Sequence, residues 1–193
     1  MRIIGGRYRG HRLRSPPGGA TRPTSDRVRE AIFDMLGDVP PGVTVLDLYA
    51  GSGALGLESL SRGSDFAIFV DSSREACRII KSNAEALGVG DKCRIIRADV
   101  ADFLRRDVRE GDGVQLVFMD PPYASGFPGE TLDLVTSWSG LGDPALIVME
   151  TARGCAPVLE ESRPFDENLT LMRRRNYSNT AVVIFRFDAG REN

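Results

Sequence analysis

The stretch Val45-Leu46-Asp47-Leu48-Tyr49-Ala50-Gly51-Ser52-Gly53-Ala54-Leu55-Gly56 constrains this chain more than any other. An apolar run meets an acidic residue, passes through a glycine-rich turn and opens into a helical pattern. That order describes a buried strand, a ligand-binding loop and a helix, the first unit of a nucleotide-binding α/β sheet. Gly51, Gly53 and Gly56 have the G-x-G-x-x-G spacing, in which missing Cβ atoms permit a tight turn, close ligand approach and close helix packing. The spacing by itself does not choose the ligand.

Asp47 narrows the choice. A dinucleotide would bring a pyrophosphate to this loop, and like charges about 4 Å apart cost about 4 kcal/mol at an effective dielectric near 20. S-adenosyl-L-methionine (AdoMet) carries an ammonium and a sulfonium instead, which the same carboxylate attracts. Asp47, Tyr49, Ala50, Gly51, Ser52 and Gly53 are therefore expected to bind AdoMet. The plainer reading makes Asp47 a turn or capping residue.

After this unit strands and helices alternate. Strands are expected at 43–48, 66–70, 93–97, 115–119 and 145–149, with helices at 54–61, 73–87, 100–106 and 131–138. Such alternation predicts a parallel sheet with helices on both faces. Two β-branched runs, 168–175 and 180–187, predict a hairpin that closes the sheet antiparallel. The expected fold class is α/β, a Rossmann-like AdoMet-dependent methyltransferase fold with a mostly parallel seven-stranded sheet and a small basic N-terminal arm or hairpin. One domain is expected over 1–193, divided into an arm at 1–20, a helix within 21–37 and a catalytic core at 43–193. With 41% apolar and 27% charged residues, a chain of 193 residues has the composition of an ordinary packed domain. No apolar run reaches membrane-spanning length, so the expected location is cytoplasmic, with no membrane partner and a monomeric state.

Ligands of such sheets bind outside the carboxyl ends of the strands. Four successive strands end at Asp47, Asp71, Asp99 and Asp120. Asp71, twenty residues after Gly51 and followed by Ser72, is placed to accept the ribose hydroxyls. Asp99 with Val100 is placed to address the adenine edge, and equally to cap the helix that starts there.

Asp120-Pro121-Pro122-Tyr123 carries the reaction chemistry. Two prolines remove two N–H donors and fix the backbone, leaving carbonyls free to accept from a ligand amine. The Asp120 carboxylate and the Pro121 carbonyl can each take one hydrogen of an exocyclic amine, turning its lone pair toward a methyl donor. Tyr123 offers a π-face for an unpaired base, worth about 1–3 kcal/mol. A cytosine C5 enzyme would need a nucleophilic cysteine, typically after proline, but Cys155 follows Gly154. A NAD-dependent oxidoreductase shares the glycine spacing and Asp71 but leaves Asp47 and D-P-P-Y without a role.

The net charge of −2 conceals an asymmetry. Residues 1–30 hold eight arginines (2, 7, 9, 12, 14, 22, 27 and 29), no lysine, and only Asp26 and Glu30 as acids. An arginine-only basic segment on an acidic body suits bidentate phosphate contacts. Arg7, Arg9, Arg12, Arg22 and Arg27 are the expected nucleic-acid contacts, and Arg22, Arg27 and Arg29 are expected on the face of the first helix opposite its apolar stripe. The three cysteines suit reduced thiols, no metal site is expected, and His11 belongs with the basic arm.

The chain resembles the RsmD-type family of bacterial methyltransferases, which modify the N2 amine of a guanine in 16S ribosomal RNA. The resemblance is carried by Arg2-Ile3-Ile4-Gly5-Gly6, Arg22-Pro23-Thr24 through Asp26-Arg27-Val28-Arg29-Glu30-Ala31, the loop from Asp47 to Gly56, Asp120 to Tyr123, and the Tyr177 region. It implies that Arg22, Pro23 and Thr24 lie near cofactor and target, that the arm grips RNA, and that the partner is the small ribosomal subunit or its precursor. D-P-P-Y alone gives only the class of amine-directed methyl transfer, which leaves an N6-adenine enzyme as the alternative. Three positions depart from the family pattern: Tyr49 stands for Phe, Asp71 for Glu, and Ser178-Asn179 for a glycine after the tyrosine.

Overall fold

The computed structural model describes residues 1–15, 26–37, 39, 41–106, 113–121, 129–153, 167–177 and 179–190. Pro122, Tyr123, Arg22, Pro23, Thr24 and Cys155 fall outside these residues. The elements are α1 (Asp26–Leu36), β1 (Thr44–Leu48), α2 (Ala54–Arg62), β2 (Phe66–Asp71), α3 (Arg74–Leu87), a 3-10 turn (Gly90–Lys92), β3 (Cys93–Arg97), α4 (Val100–Leu104), β4 (Val114–Met119), α5 (Gly129–Thr136), β5 (Leu141–Ala152), β6 (Leu169–Tyr177) and β7 (Thr180–Phe187).

These strands form one seven-stranded sheet in the order β3-β2-β1-β4-β5-β7-β6. Strands β1 to β5 are parallel, and β7 joins antiparallel between β5 and β6. The near-continuous apolar strands follow from helices covering both faces. One layer joins Phe33 of α1, Leu57 of α2 and Ile80 of α3 to Phe118, Val148 and Val182 of the sheet. The other joins Phe103 of α4 and Leu132, Val135 and Trp138 in and after α5 to Leu46, Ile68 and Phe185.

Element boundaries differ from the sequence reading where packing decides them. Strand β5 runs three residues beyond Met149 because Ala145 to Ala152 pair continuously with β7. It also begins earlier, at Leu141, and the ladder to β4 shifts register across the segment that contains Pro144. A proline inside a strand hides the strand from sequence reading. Helix α5 stops at Thr136, and Trp138 turns onto Phe103 with ring centroids 5.5 Å apart.

The N-terminal segment forms the small hairpin expected of it, with the Ile3 N–H donating to the His11 carbonyl at 2.9 Å and the Leu13 N–H to that of Met1 at 3.1 Å. A single antiparallel bridge joins Arg2 to Arg12, while Ile3 and Leu13 are buried in the core layer of α1 and α2. Arg29 corrects the sequence reading outright. Its side chain is fully buried, donates to the carbonyl of Arg2 and to Asp26 Oδ1 (2.9 Å), and has its Nε 4.0 Å from Glu58 Oε2. It is an internal tie between α1, α2 and the arm, so of the helix arginines that are described only Arg27 remains on the surface.

Candidate active site

Sheet register brings the acidic strand ends together. Leu48 pairs with Val70 on one side and with Met119 on the other, so Tyr49, Asp71 and Asp120 leave the sheet side by side. This edge is where the sheet order turns from β1 outward in both directions, the crevice in which open α/β sheets bind ligands.

Asp47 lies just below this edge, 2% exposed, with Oδ2 accepting the backbone N–H of Gly56 at 2.9 Å. Burial pushes its carboxyl up to about 8 despite that bond, and the nearby charges of Asp120 and Asp71 push the same way. At neutral pH this carboxyl is held mostly in its protonated form, and a cation brought beside it would favour the ionised one.

The loop above is shaped by its backbone. Tyr49, Gly51 and Gly53 have φ of 57°, 56° and 75°. At Gly56 a Cβ would lie 2.8 Å from Phe69 Cζ, so only glycine lets α2 sit this close to the sheet. Next to Gly51 a Cβ would meet nothing nearer than the Tyr49 carbonyl at 3.9 Å, which leaves this side of the turn free for a ligand. Asp71 braces the loop: Oδ2 accepts from the N–H of Gly51 and Oδ1 from that of Ser73, each at 2.8 Å. Ser72 beside it is exposed.

Asp99 occupies the capping position. Its Oδ1 accepts the N–H groups of Ala101 (2.9 Å) and Asp102 (3.2 Å), and Val100 behind it is buried. The Tyr49 phenol shares a hydrogen bond of 3.0 Å with Thr131 of α5, and it is raised above its ordinary value by burial and secondarily by the charge of Asp99. The hydroxyl that distinguishes Tyr49 from Phe thus ties the loop to α5. Asp120 is half-buried and Pro121 buried beside it.

Asn83 is a residue that sequence reading missed. Fully inside α3, its Nδ2 donates to the carbonyls of Ser52 (3.0 Å) and Arg14 (3.1 Å), while Oδ1 accepts from the Arg14 N–H at 2.8 Å. It links the glycine loop to the end of the arm. The available signal was a polar residue in the apolar stripe Ala76, Ile80, Ala84 and Leu87.

The basic residues divide. Arg7, Arg9 and Arg12 are exposed on the arm, and Arg27 on α1. Cys77 and Cys93 are free thiols, both raised mainly by burial, Cys93 to about 12. Among the described residues no cluster could hold a metal and no helix is long and apolar enough to cross a membrane.

The mostly parallel seven-stranded sheet with its antiparallel β5-β7-β6 end is that of the α/β methyltransferase fold. The chemistry of these residues fits AdoMet: a buried carboxylate at Asp47 suits a cationic group, the open side of Gly51 allows close approach, and Asp71, hydrogen-bonded to the loop through Gly51, is a second carboxylate beside it. The model of the family described as Conserved hypothetical protein 95 matches residues 1–186, and the chain belongs to this, the RsmD family. It is 38% identical over 151 residues to ribosomal RNA small subunit methyltransferase D of Escherichia coli, covering 78% of this chain and 74% of that protein. It is 35% identical to YlbH of Bacillus subtilis over 96% of this chain and 98% of that one. The solved structure of yhhF from Escherichia coli superposes with a TM-score of 0.84 at 34% identity, covering 98% of each chain.

Proposed function

We propose that this protein transfers a methyl group from AdoMet to the exocyclic N2 amine of a guanine in 16S ribosomal RNA, within the small ribosomal subunit or its precursor. The observation that carries the reading is the convergence of three carboxylates, Asp71 and Asp120 at the ends of β2 and β4 and Asp47 buried just below them in β1, beside a glycine loop open on one side. The relatives named for ribosomal RNA methylation support the substrate class.

When bound, AdoMet supplies an electrophilic methyl on a cationic sulfur. Asp47 holds the cationic end, and Asp71 braces the loop while facing the ribose. Asp99 and Val100 border the adenine, with Tyr49, Ala50, Ser52 and Gly53 forming the wall. Asp120 and the Pro121 carbonyl accept the two hydrogens of the target amine, so that its lone pair points at the methyl carbon. Pro122 and Tyr123 complete the motif, with the tyrosine stacking on the base. Transfer would break the sulfur–methyl bond, leaving a neutral thioether, as the nitrogen–methyl bond forms; the nitrogen is then positively charged, and loss of one proton to water restores the neutral amine. Catalysis rests on positioning and on the anionic edge that faces this developing charge. Thr24 and Arg22 are assigned to the rim by family resemblance, and Arg7, Arg9, Arg12 and Arg27 to the RNA phosphates.

The test is transfer of labelled methyl from AdoMet to small subunits isolated from a strain lacking the protein, followed by nucleoside analysis. Label in N2-methylguanosine is expected. Label in N6-methyladenosine would replace guanine with adenine as the target, and no label in RNA would remove the assignment.

A further inference from the structure

The run Arg173-Arg174-Arg175 lies on β6, at the end of the sheet farthest from β3. Arg173 and Arg175 pair with Ile184 and Val182, whose side chains lie in the core layer of α1 and the arm. Arg173 donates to the carbonyl of Met35 at the end of α1 and so holds the strand to that helix. Arg175, on the same face, is exposed.

The ladder fixes its height. Met119 pairs with Met149, Glu150 with Val182, and Val182 with Arg175. Arg175 therefore stands level with the residue after Met119, which is Asp120. Three ladder spacings separate the two strands, about 14 Å across the sheet. On this same face α1 presents Arg27, and the arm beyond it presents Arg7, Arg9 and Arg12.

We propose that Arg175 on the β6 edge contacts the phosphate backbone of the substrate RNA, on the far side of the target base from the arm. The inference rests on the RNA reading above and extends it to a second surface. An RNA strand that places its base at Asp120 must continue in both directions, and a few nucleotides reach the β6 edge. Arginine suits the role through its planar fork and weak hydration. Charge on an edge strand disfavours an added protein strand, which leaves a polyanion as the fitting occupant.

The experiment compares wild type, Arg175→Glu, Arg175→Lys and, on the arm, Arg7→Glu, in binding to a 16S ribosomal RNA transcript across a salt series. Thermal unfolding and AdoMet binding are measured on the same samples. For Arg175→Glu, affinity is expected to fall about tenfold and the slope of log K against log salt to flatten by about one. The lysine variant should keep most of the affinity, with unfolding and AdoMet binding as in wild type. Unchanged affinity and slope in Arg175→Glu, with Arg7→Glu weakened, would overturn the β6 contact while sparing the RNA reading. Loss confined to intact small subunits, with transcript binding unaffected, would assign the edge to a protein partner and overturn it too. A wild-type protein that does not bind the transcript would defeat the RNA reading and this inference together.

Discussion

Glu58 Oε1 accepts the backbone N–H of Gly5 at 2.7 Å, joining two residues 53 positions apart. The same carboxylate accepts from Ile4 N–H (2.8 Å) and from Arg62 Nε (2.9 Å), and lies 4.0 Å from the Arg29 Nε. Both Glu58 and Arg29 are fully buried. The arm is thus fastened by one internal charge on α2, and its exposed arginines project from a fixed base.

Removing that carboxylate leaves the buried Arg29 with Asp26 as its one remaining counter-charge among the described residues, strips Arg62 of its partner and leaves two backbone donors without an acceptor. Glu58→Ala is expected to cost about 3–5 kcal/mol. In a chain of this size that lowers the midpoint of thermal unfolding by on the order of 10 °C, measurable by circular dichroism. A drop of only a degree or two would show that solvent replaces the buried contacts at little cost.

Gly56→Ala probes the other requirement of the loop. The added methyl would press on the ring of Phe69, itself fully buried between β2 and α2. Overpacking of this kind costs about 1–3 kcal/mol. Because the Gly56 N–H also bonds Asp47, any shift of α2 moves the anionic pocket. Both the unfolding temperature and the AdoMet affinity should fall, as read by thermal unfolding and calorimetry. Unchanged values in both would mean that Phe69 yields without disturbing the helix.

Asp71 and Asp120 were legible because each closes an apolar run, and sheet register sets them level with Tyr49, whereas Asp47 lies inside β1, paired with Phe69 and Phe118 rather than at the strand end. Asp99 was ambiguous for a physical reason: a residue at a strand end is also the residue before a helix, and the cap it forms uses the same oxygen. Arg29, Glu58 and Asn83 were not legible as a group. Each is a polar residue in an apolar stripe whose partner lies far away in sequence, and periodicity assigns a face without naming a partner. The arginine count of the first thirty residues likewise treated all eight as surface charge, although Arg29 is internal.

Asp120→Ala separates chemistry from cofactor binding. The residue is assigned to the target amine, so transfer should fall to background. Its charge also helps raise the Asp47 carboxyl, so its removal should leave AdoMet affinity unchanged or slightly higher near neutral pH. Methyl-transfer assays paired with calorimetry make the comparison. An equal loss of AdoMet binding would move Asp120 from the amine to the cofactor.

Asp47 sets a pH dependence whose sign is fixed by its burial. The folded-state carboxyl titrates at about 8, against about 4 in an unfolded chain. Between these values the folded protein holds a proton that the unfolded chain has lost. Stability from this group is therefore full below about pH 4 and lost as pH rises through about 8. A cationic ligand favours the ionised form, so AdoMet binding should expel that proton, and affinity should rise by up to about tenfold per unit from pH 6 to 7.5. Calorimetry in buffers of different ionisation enthalpy counts the proton directly, and nearly one released at pH 7 is expected. Asp47→Asn should unfold at a higher temperature than wild type at pH 8.5 while binding AdoMet at least about tenfold more weakly, the loss of one charge-assisted contact. Binding that releases no proton and does not vary with pH would place the cation of the ligand away from Asp47.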